Sequence, residues 1–334
     1  MRLTGWGYSD TGRKRNHNED SYLVDDGMGL FAVADGMGGH RGGATASRLA
    51  LDVLHRHMTE AIHNLVEVAA QIESARRIEL LGQNSNEMSD LDTVPALRLR
   101  LQRAPTLPSD ASTAGSSAGG SCDFDTAVDV VSPPALTVMH AAALDAGVEI
   151  FQTALADQSL RGMGTTLTAM LYDSGRMHIV HAGDSRAYLL RNGKLDQLTE
   201  DHTWIAEQVR LGTMTAAEAK ESKYRHIITR SVGFERDVEL DTFRLAVEPG
   251  DCFLLCSDGL SNYIQHEELE ELLAQTWFRR APRRLIDMAN DRGGDDNITA
   301  VVIHAGNHAD DAGPEPMPAS SQPGPAGSSA ATAG

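Results

Sequence analysis

The residues of this chain best suited to chemistry are aspartates that close apolar runs. Residues 29–34 lead into Asp35-Gly36-Met37-Gly38-Gly39, residues 252–257 into Asp258-Gly259, and residues 178–183 into Asp184-Ser185-Arg186. Two more acidic stretches, Asn18-Glu19-Asp20 and Gly293-Gly294-Asp295-Asp296-Asn297, could join them. One Asp-Gly after a strand is an ordinary turn pair. Several together suggest one acidic cluster. Oxygen ligands without a Cys/His spacing suit magnesium, manganese or calcium better than zinc. Cys252 and Cys256 share one strand face and read as small buried apolar residues.

Elements must bring these carboxylates together. Strand-rich blocks at 3–9, 21–34, 165–191 and 240–257, with a closing strand at 298–303 and helices between, favour antiparallel sheets over a doubly wound parallel one. Apolar residues at helical spacing (Ala46, Leu49, Val53, Leu54, Met58, Ile62) predict a long amphipathic helix over 42–81, and a second is expected over 135–156. Residues 82–134 are rich in Ser, Gly, Pro, Ala and Asp without periodicity and read as a disordered insertion, which loop-closure entropy tolerates. Residues 306–334 read as a disordered tail. The expected organisation is one domain, 1–305, interrupted at 82–134.

The chain has 334 residues, with 29 basic against 47 acidic and a formal charge of −18. That charge disfavours general attraction to nucleic acid or anionic membranes. There is no long apolar span or signal-peptide pattern, and three cysteines are too few for a disulfide framework. A soluble, cytoplasmic protein is expected.

Taken in order, Arg15-Asn16-His17-Asn18-Glu19-Asp20, Asp35-Gly36-Met37-Gly38-Gly39-His40, Gly164-Thr165-Thr166, Gly183-Asp184-Ser185-Arg186, Ser257-Asp258-Gly259-Leu260 and Asp296-Asn297 resemble the bacterial branch of the metal-dependent protein phosphatases, type 2C. The resemblance spans roughly 3–305 outside the insertion, and separated motifs in order carry far more weight than one glycine-rich match. It implies an α+β fold: a four-layer α-β-β-α sandwich of two antiparallel sheets flanked by helix pairs. It further implies hydrolysis of phosphoserine and phosphothreonine esters by a metal-activated water, with two or three Mn2+ or Mg2+ ions as cofactors. Phosphorylated proteins would be substrates and a bacterial Ser/Thr kinase the opposing partner.

By the same resemblance, Asp35 bridges two metals and the Gly36 carbonyl ligates the first. Glu19, Asp258 and Asp296 belong to the second, and Asp184 joins Asp258 at a third. Arg15 grips the substrate phosphate, as its planar fork suits, while Asp20 and Asn297 order the loops behind. One departure is Met37, where many eukaryotic members have a histidine that protonates the leaving hydroxyl; that proton must then come from water, a metal-bound water or another side chain, with His40 and His17 as the side-chain candidates. Residues 201–233 resemble the mobile flap of bacterial members, altered at Ser222-Lys223 and Arg225-His226. Read without the family, they are a short helical hairpin over a sheet edge. Two rival readings are a non-catalytic module that binds a phosphoprotein or kinase, and a hydrolase of small phosphoesters. The complete ligand set favours activity.

Overall fold

The computed structural model describes residues 1–39, 41–83, 135–224 and 226–306. The chain divides into two units, residues 1–63 with 133–334, and residues 64–132. The first carries all the strands. In the second, only the continuation of the first helix, α1 (Gly42–Gln83), is described. The insertion is expected from 82 and the tail from 306, but α1 continues to Gln83 and β11 (Ile298–Gly306) includes Gly306; the rest of both, 84–134 and 307–334, lies outside the described residues.

One sheet runs in the order β1 (Arg2–Asp10), β11 (Ile298–Gly306), β10 (Cys252–Cys256), β7 (Arg186–Arg191), β8 (Lys194–Gln197). The other runs β2 (Asp20–Asp25), β3 (Leu30–Met37), β5 (Leu167–Asp173), β6 (Arg176–Ala182), β9 (Asp241–Ala246), with the short β4 (Gly164–Thr165) paired to the end of β3. Each of these ladders is antiparallel.

Strand alternation explains the layers, because successive side chains point to opposite faces. In β3, Leu30, Ala32 and Ala34 pack against α1 and α2 (Ala135–Ala156), meeting Ala50, Leu54, Met139 and Ile150. Phe31 and Val33 face the other way, into a core shared with Met170, Ile179, Leu189, Phe253, Leu255, Val301 and Ile303 from both sheets. The outer face of the first sheet, with Leu254, Cys256 and Val302, packs on α5 (Asp258–Ser261), α6 (His266–Gln275) and α7 (Ala281–Asp291) through Leu260, Leu272, Leu285 and Ile286. Three apolar cores thus separate four layers, the expected sandwich. Each large side chain in them contributes about 1.5–3 kcal/mol at most. Burial pushes the Cys252 and Cys256 thiols up to about 12, as suits apolar filling.

Candidate metal centre

The same alternation aims the chemistry. Asp35 has the parity of Phe31 and Val33, so it stands on the inner side of β3 where the apolar run stops. Antiparallel register then gathers the other acidic stretches at one end of the sandwich. Asp20 is paired with Asp35 across β2 and β3. Cys256, two residues before Asp258, is paired with Ala300 and with Arg186, which puts the start of β11 and the 183–186 turn at the same end.

Hydroxyls and one amide fix the backbones there. Thr166 Oγ1 accepts from the Asp35 N–H at 2.9 Å and meets Ser185 Oγ at 2.8 Å, while Thr165 Oγ1 donates to the Asp35 carbonyl at 2.9 Å. This is the physical use of the Gly164-Thr165-Thr166 motif. Asn297 Oδ1 accepts from the Glu19 N–H at 2.8 Å, and its Nδ2 donates to the Thr11 and His17 carbonyls at 2.9 Å each, holding both sides of the Arg15 loop. Asp20 Oδ2 accepts from Ser257 Oγ at 2.8 Å and Thr299 Oγ1 at 2.7 Å, tying β2 to the other sheet.

Burial and mutual repulsion dominate the electrostatics of these acids. Burial, then the charges of Asp20, Asp258, Asp184 and Asp296, holds the Asp35 carboxyl well above its usual range. Burial and Asp258 push Asp184 up to about 8. Burial also raises Asp20 to about 7, against the two hydroxyls that favour its charged form. Asp258 is raised by burial and by Asp296.

Several features fit a hard divalent ion. Asp20 Oδ1 is buried with no hydrogen-bond partner. Glu19 Oε2 and the Gly36 carbonyl crowd one point beside Gly43, where an added Cβ would overlap the carboxylate and lie 2.7 Å from the carbonyl. A Cβ on Gly36 would in turn overlap the Gly43 carbonyl, so the close backbone approach requires glycine. An all-oxygen, uncompensated donor set suits manganese or magnesium.

Among the described residues, no three Asp, Glu, His or Cys side chains are drawn in tightly enough to hold an ion as they stand. Coulombic influence reaches farther than the roughly 2.0–2.6 Å of coordination. Two of these acids have polar partners within the chain. Asp296 accepts from Arg15 at 2.7 Å, and Asp258 accepts from Asn262 at 3.1 Å. Of the sequence-predicted residues, Asp20, Asp35, Asp184, Asp258 and Asp296 influence one another, Glu19 and Gly36 meet beside Gly43, and Arg15 and Asn297 border them. His40 and Arg225 lie outside the described residues.

An anchor for the 201–233 segment was missed by sequence reasoning. His202 Nδ1 accepts from the Gly183 N–H at 3.1 Å, so its Nε2 carries the proton and donates to Asp241 at 3.1 Å. Arg230 donates to the same carboxylate at 3.0 Å, and Arg186 makes a two-pronged bond to Asp201 at 2.8 and 2.7 Å. Burial lowers the His202 pKa. Beyond the anchor, α3 (Trp204–Arg210) and α4 (Ala216–Glu221) form the expected hairpin.

A model of the protein phosphatase 2C family matches residues 10–291. The serine/threonine phosphatase stp of Listeria monocytogenes is 31% identical over 299 residues, covering 88% of this chain and 93% of that protein. PstP, a serine/threonine protein phosphatase of Mycobacterium tuberculosis, is 33% identical over 300 residues, 88% of this chain and 43% of PstP. A crystal structure of PstP aligns with a TM-score of 0.66 at 29% identity, covering 92% of this chain and 100% of that one. The PstP catalytic domain in complex with 2 manganese ions aligns with a TM-score of 0.64 at 29% identity, over 92% and 99%. A match over most of the chain, shared with relatives whose fold follows these four layers, makes the chain a member of the protein phosphatase 2C family.

Proposed function

We propose that this protein is a metal-dependent serine/threonine protein phosphatase, hydrolysing phosphoserine and phosphothreonine esters with an activated water. The observation that carries this reading is the gathering of Asp20, Asp35, Asp184 and Asp258 at one end of the sandwich, where each is buried and raised by its acidic neighbours, and where Arg186 beside Asp184 and His226 beside Asp258 offset that only in part. Asp35, the Gly36 carbonyl, Glu19, Asp258 and Asp296 would hold two ions, and Asp184 with Asp258 would hold a third. Bound manganese or magnesium lowers the pKa of water and neutralises phosphate oxygens.

The chain's own groups do the rest. Thr165 and Thr166 hold Asp35 by its backbone, so the carboxylate keeps its aim when the charges change. Arg15, which pairs with Asp296 at 2.7 Å, would grip the substrate phosphate through its planar fork once Asp296 is engaged as a ligand. Asn297 keeps the Arg15 loop in register with Glu19. His17, two residues from Arg15, is the candidate donor to the leaving hydroxyl, since Met37 cannot donate.

We assign the phosphatase domain to 1–305, with an insertion at 82–134 and a tail at 306–334. Its substrates are phosphorylated proteins of the cytoplasm, in signalling opposed by a bacterial Ser/Thr kinase. The net charge of −18 supports a place away from nucleic acid and anionic membranes, and no helix among the described residues is long and apolar enough to cross a membrane.

Phosphate release from a phosphothreonine peptide, with manganese or magnesium and with EDTA, tests the assignment. Release should require metal, vanish with EDTA and return on reloading. A folded, manganese-loaded protein that cleaves small aryl phosphates alone would be a small-phosphoester hydrolase. One that cleaves neither would be a regulatory binding module.

A further inference from the structure

One region of the molecule has a charge the rest does not. Arg279, Arg280, Arg283 and Arg284 fall within six positions around the start of α7, in a chain with 47 acidic residues against 29 basic. The first turn of α7 holds no acidic residue, and cations at a helix start oppose its dipole, so these arginines do not serve the helix. Arg283 is oriented, donating to Tyr8 Oη at 2.9 Å and to Asp287 at 3.1 Å. Arg279, Arg280 and Arg284 have no carboxylate partner among the described residues.

Two of these arginines, Arg279 and Arg283, line a groove of about 350 Å³. Its walls are the two edge strands β1 and β2, one from each sheet, with Gly5, Gly7 and Tyr8 on one side, Tyr22 and Val24 on the other, and Arg279 and Arg283 across the mouth. Gly7 is required there, because a Cβ would run into the Tyr22 ring. The acids that act on Arg283 are engaged within the chain: Asp287 holds it, and Asp10 accepts from the Gly12 N–H at 2.9 Å and from Asn290 Nδ2 at 3.1 Å.

We propose that this groove docks an acidic polypeptide segment of a protein substrate. The role of substrate rests on the phosphatase reading; the docking itself does not. Arg279 at the groove, and Arg280 and Arg284 close to it in sequence, have no carboxylate partner among the described residues, and with Arg283 stacked on the Tyr8 ring they offer charge complementarity to carboxylates in an extended segment. A lipid surface fits worse, because insertion needs protruding apolar side chains. Trp6, Tyr8, Trp277 and Phe278 are half-buried, and only Tyr22 is exposed. The groove also lies on the strand that runs into the Arg15 loop, so a docked segment raises the effective concentration of a neighbouring phosphorylated residue at the acidic end.

Binding is read without turnover, by fluorescence anisotropy of a short fluorescein-labelled Glu/Asp-rich peptide with the full chain. Arg279→Glu/Arg283→Glu, and separately Arg279→Glu/Arg280→Glu/Arg284→Glu, which spares the Tyr8 contact, should each weaken binding about tenfold or more (~1.4 kcal/mol). Both variants should keep wild-type hydrolysis of a small aryl phosphate while KM rises for a phosphopeptide with an acidic flank. Equal peptide affinity in wild type and both variants overturns the proposal. So does arginine-dependent binding to phosphatidylserine vesicles without peptide binding, which would make this a membrane-facing surface. Peptide binding that appears only after removal of residues 307–334 overturns it too, because the occupant would then be the chain's own acidic tail. If the wild type binds peptide but hydrolyses no phosphoester, the phosphatase reading fails and the groove stands.

Discussion

Asp251 and Asp35 are both carboxylates withdrawn from water at a strand terminus, and the chain treats them in opposite ways. Asp251, 1% exposed and just ahead of β10, receives Arg191 through two nitrogens at 2.8 and 2.6 Å and the Glu248 N–H at 2.8 Å. Asp35 has four aspartates within electrostatic reach and no cation of its own. The five residues of β10 separate the two regimes, with Asp251 before the strand and Asp258 after it. One end of the sandwich closes its charges internally. The other leaves them to be closed by something the chain does not encode.

Neutralising the acid at each end is the sharpest way to break that contrast. Asp35→Asn should cost more in metal-dependent phosphate release than the roughly 10–100-fold typical of losing an outer partner of a metal ligand. It should also raise the melting temperature of the metal-free protein at neutral pH, because it removes a buried acid that folding must either protonate or keep charged. Asp251→Asn should do the reverse, leaving turnover per folded molecule unchanged and lowering stability by about 2–4 kcal/mol in urea denaturation. That lies toward the lower side of the range for breaking a buried pair because Arg191 is partly exposed. A variant that lost both properties at either end would erase the distinction.

A smaller effect sharpens the comparison through pH. Asp20, at about 7, and Asp184, at about 8, titrate in the fold well above the usual aspartate value near ~4. Between those values the folded state binds more protons than the unfolded chain, so stability falls as pH rises. The metal-free protein should therefore melt several degrees higher at about pH 5 than at about pH 8. Saturating manganese should flatten or invert that order, since the metal replaces the protons. Differential scanning calorimetry with EDTA and with manganese reads both curves, and a metal-free profile that rises with pH would contradict the open-charge account.

How legible each part was depends on whether its cause is local. Asp35, Asp184 and Asp258 stand out because an apolar run that stops at an acid is a pattern of neighbours, and the three cores follow from alternation within strands such as β3 and β10. The closing strand was legible as a strand, but its pairing with β1 was not, because no local pattern links Trp6 to Val302. The His202–Asp241–Arg230 anchor was missed for the same reason: its members are 39 and 11 residues apart and share no periodicity. The arginines at 279–284 are plain in the sequence, but only tertiary structure sets them beside Tyr8 and Gly7.

The pairing of β1 with β11 has a consequence in time. Residues 2–10 have no neighbour on their open side until residues 298–306 exist, and the Arg15 loop is fastened by Asn297 and by the Gly294 carbonyl, which accepts from the Arg13 N–H at 2.7 Å. Contacts this distant in sequence close late in folding. On the proposed assignment of Asp296 to a metal, a fragment that stops short of it should release no phosphate however well its first sheet has formed, and the segment that carries Asp296 and β11 is what completes the site.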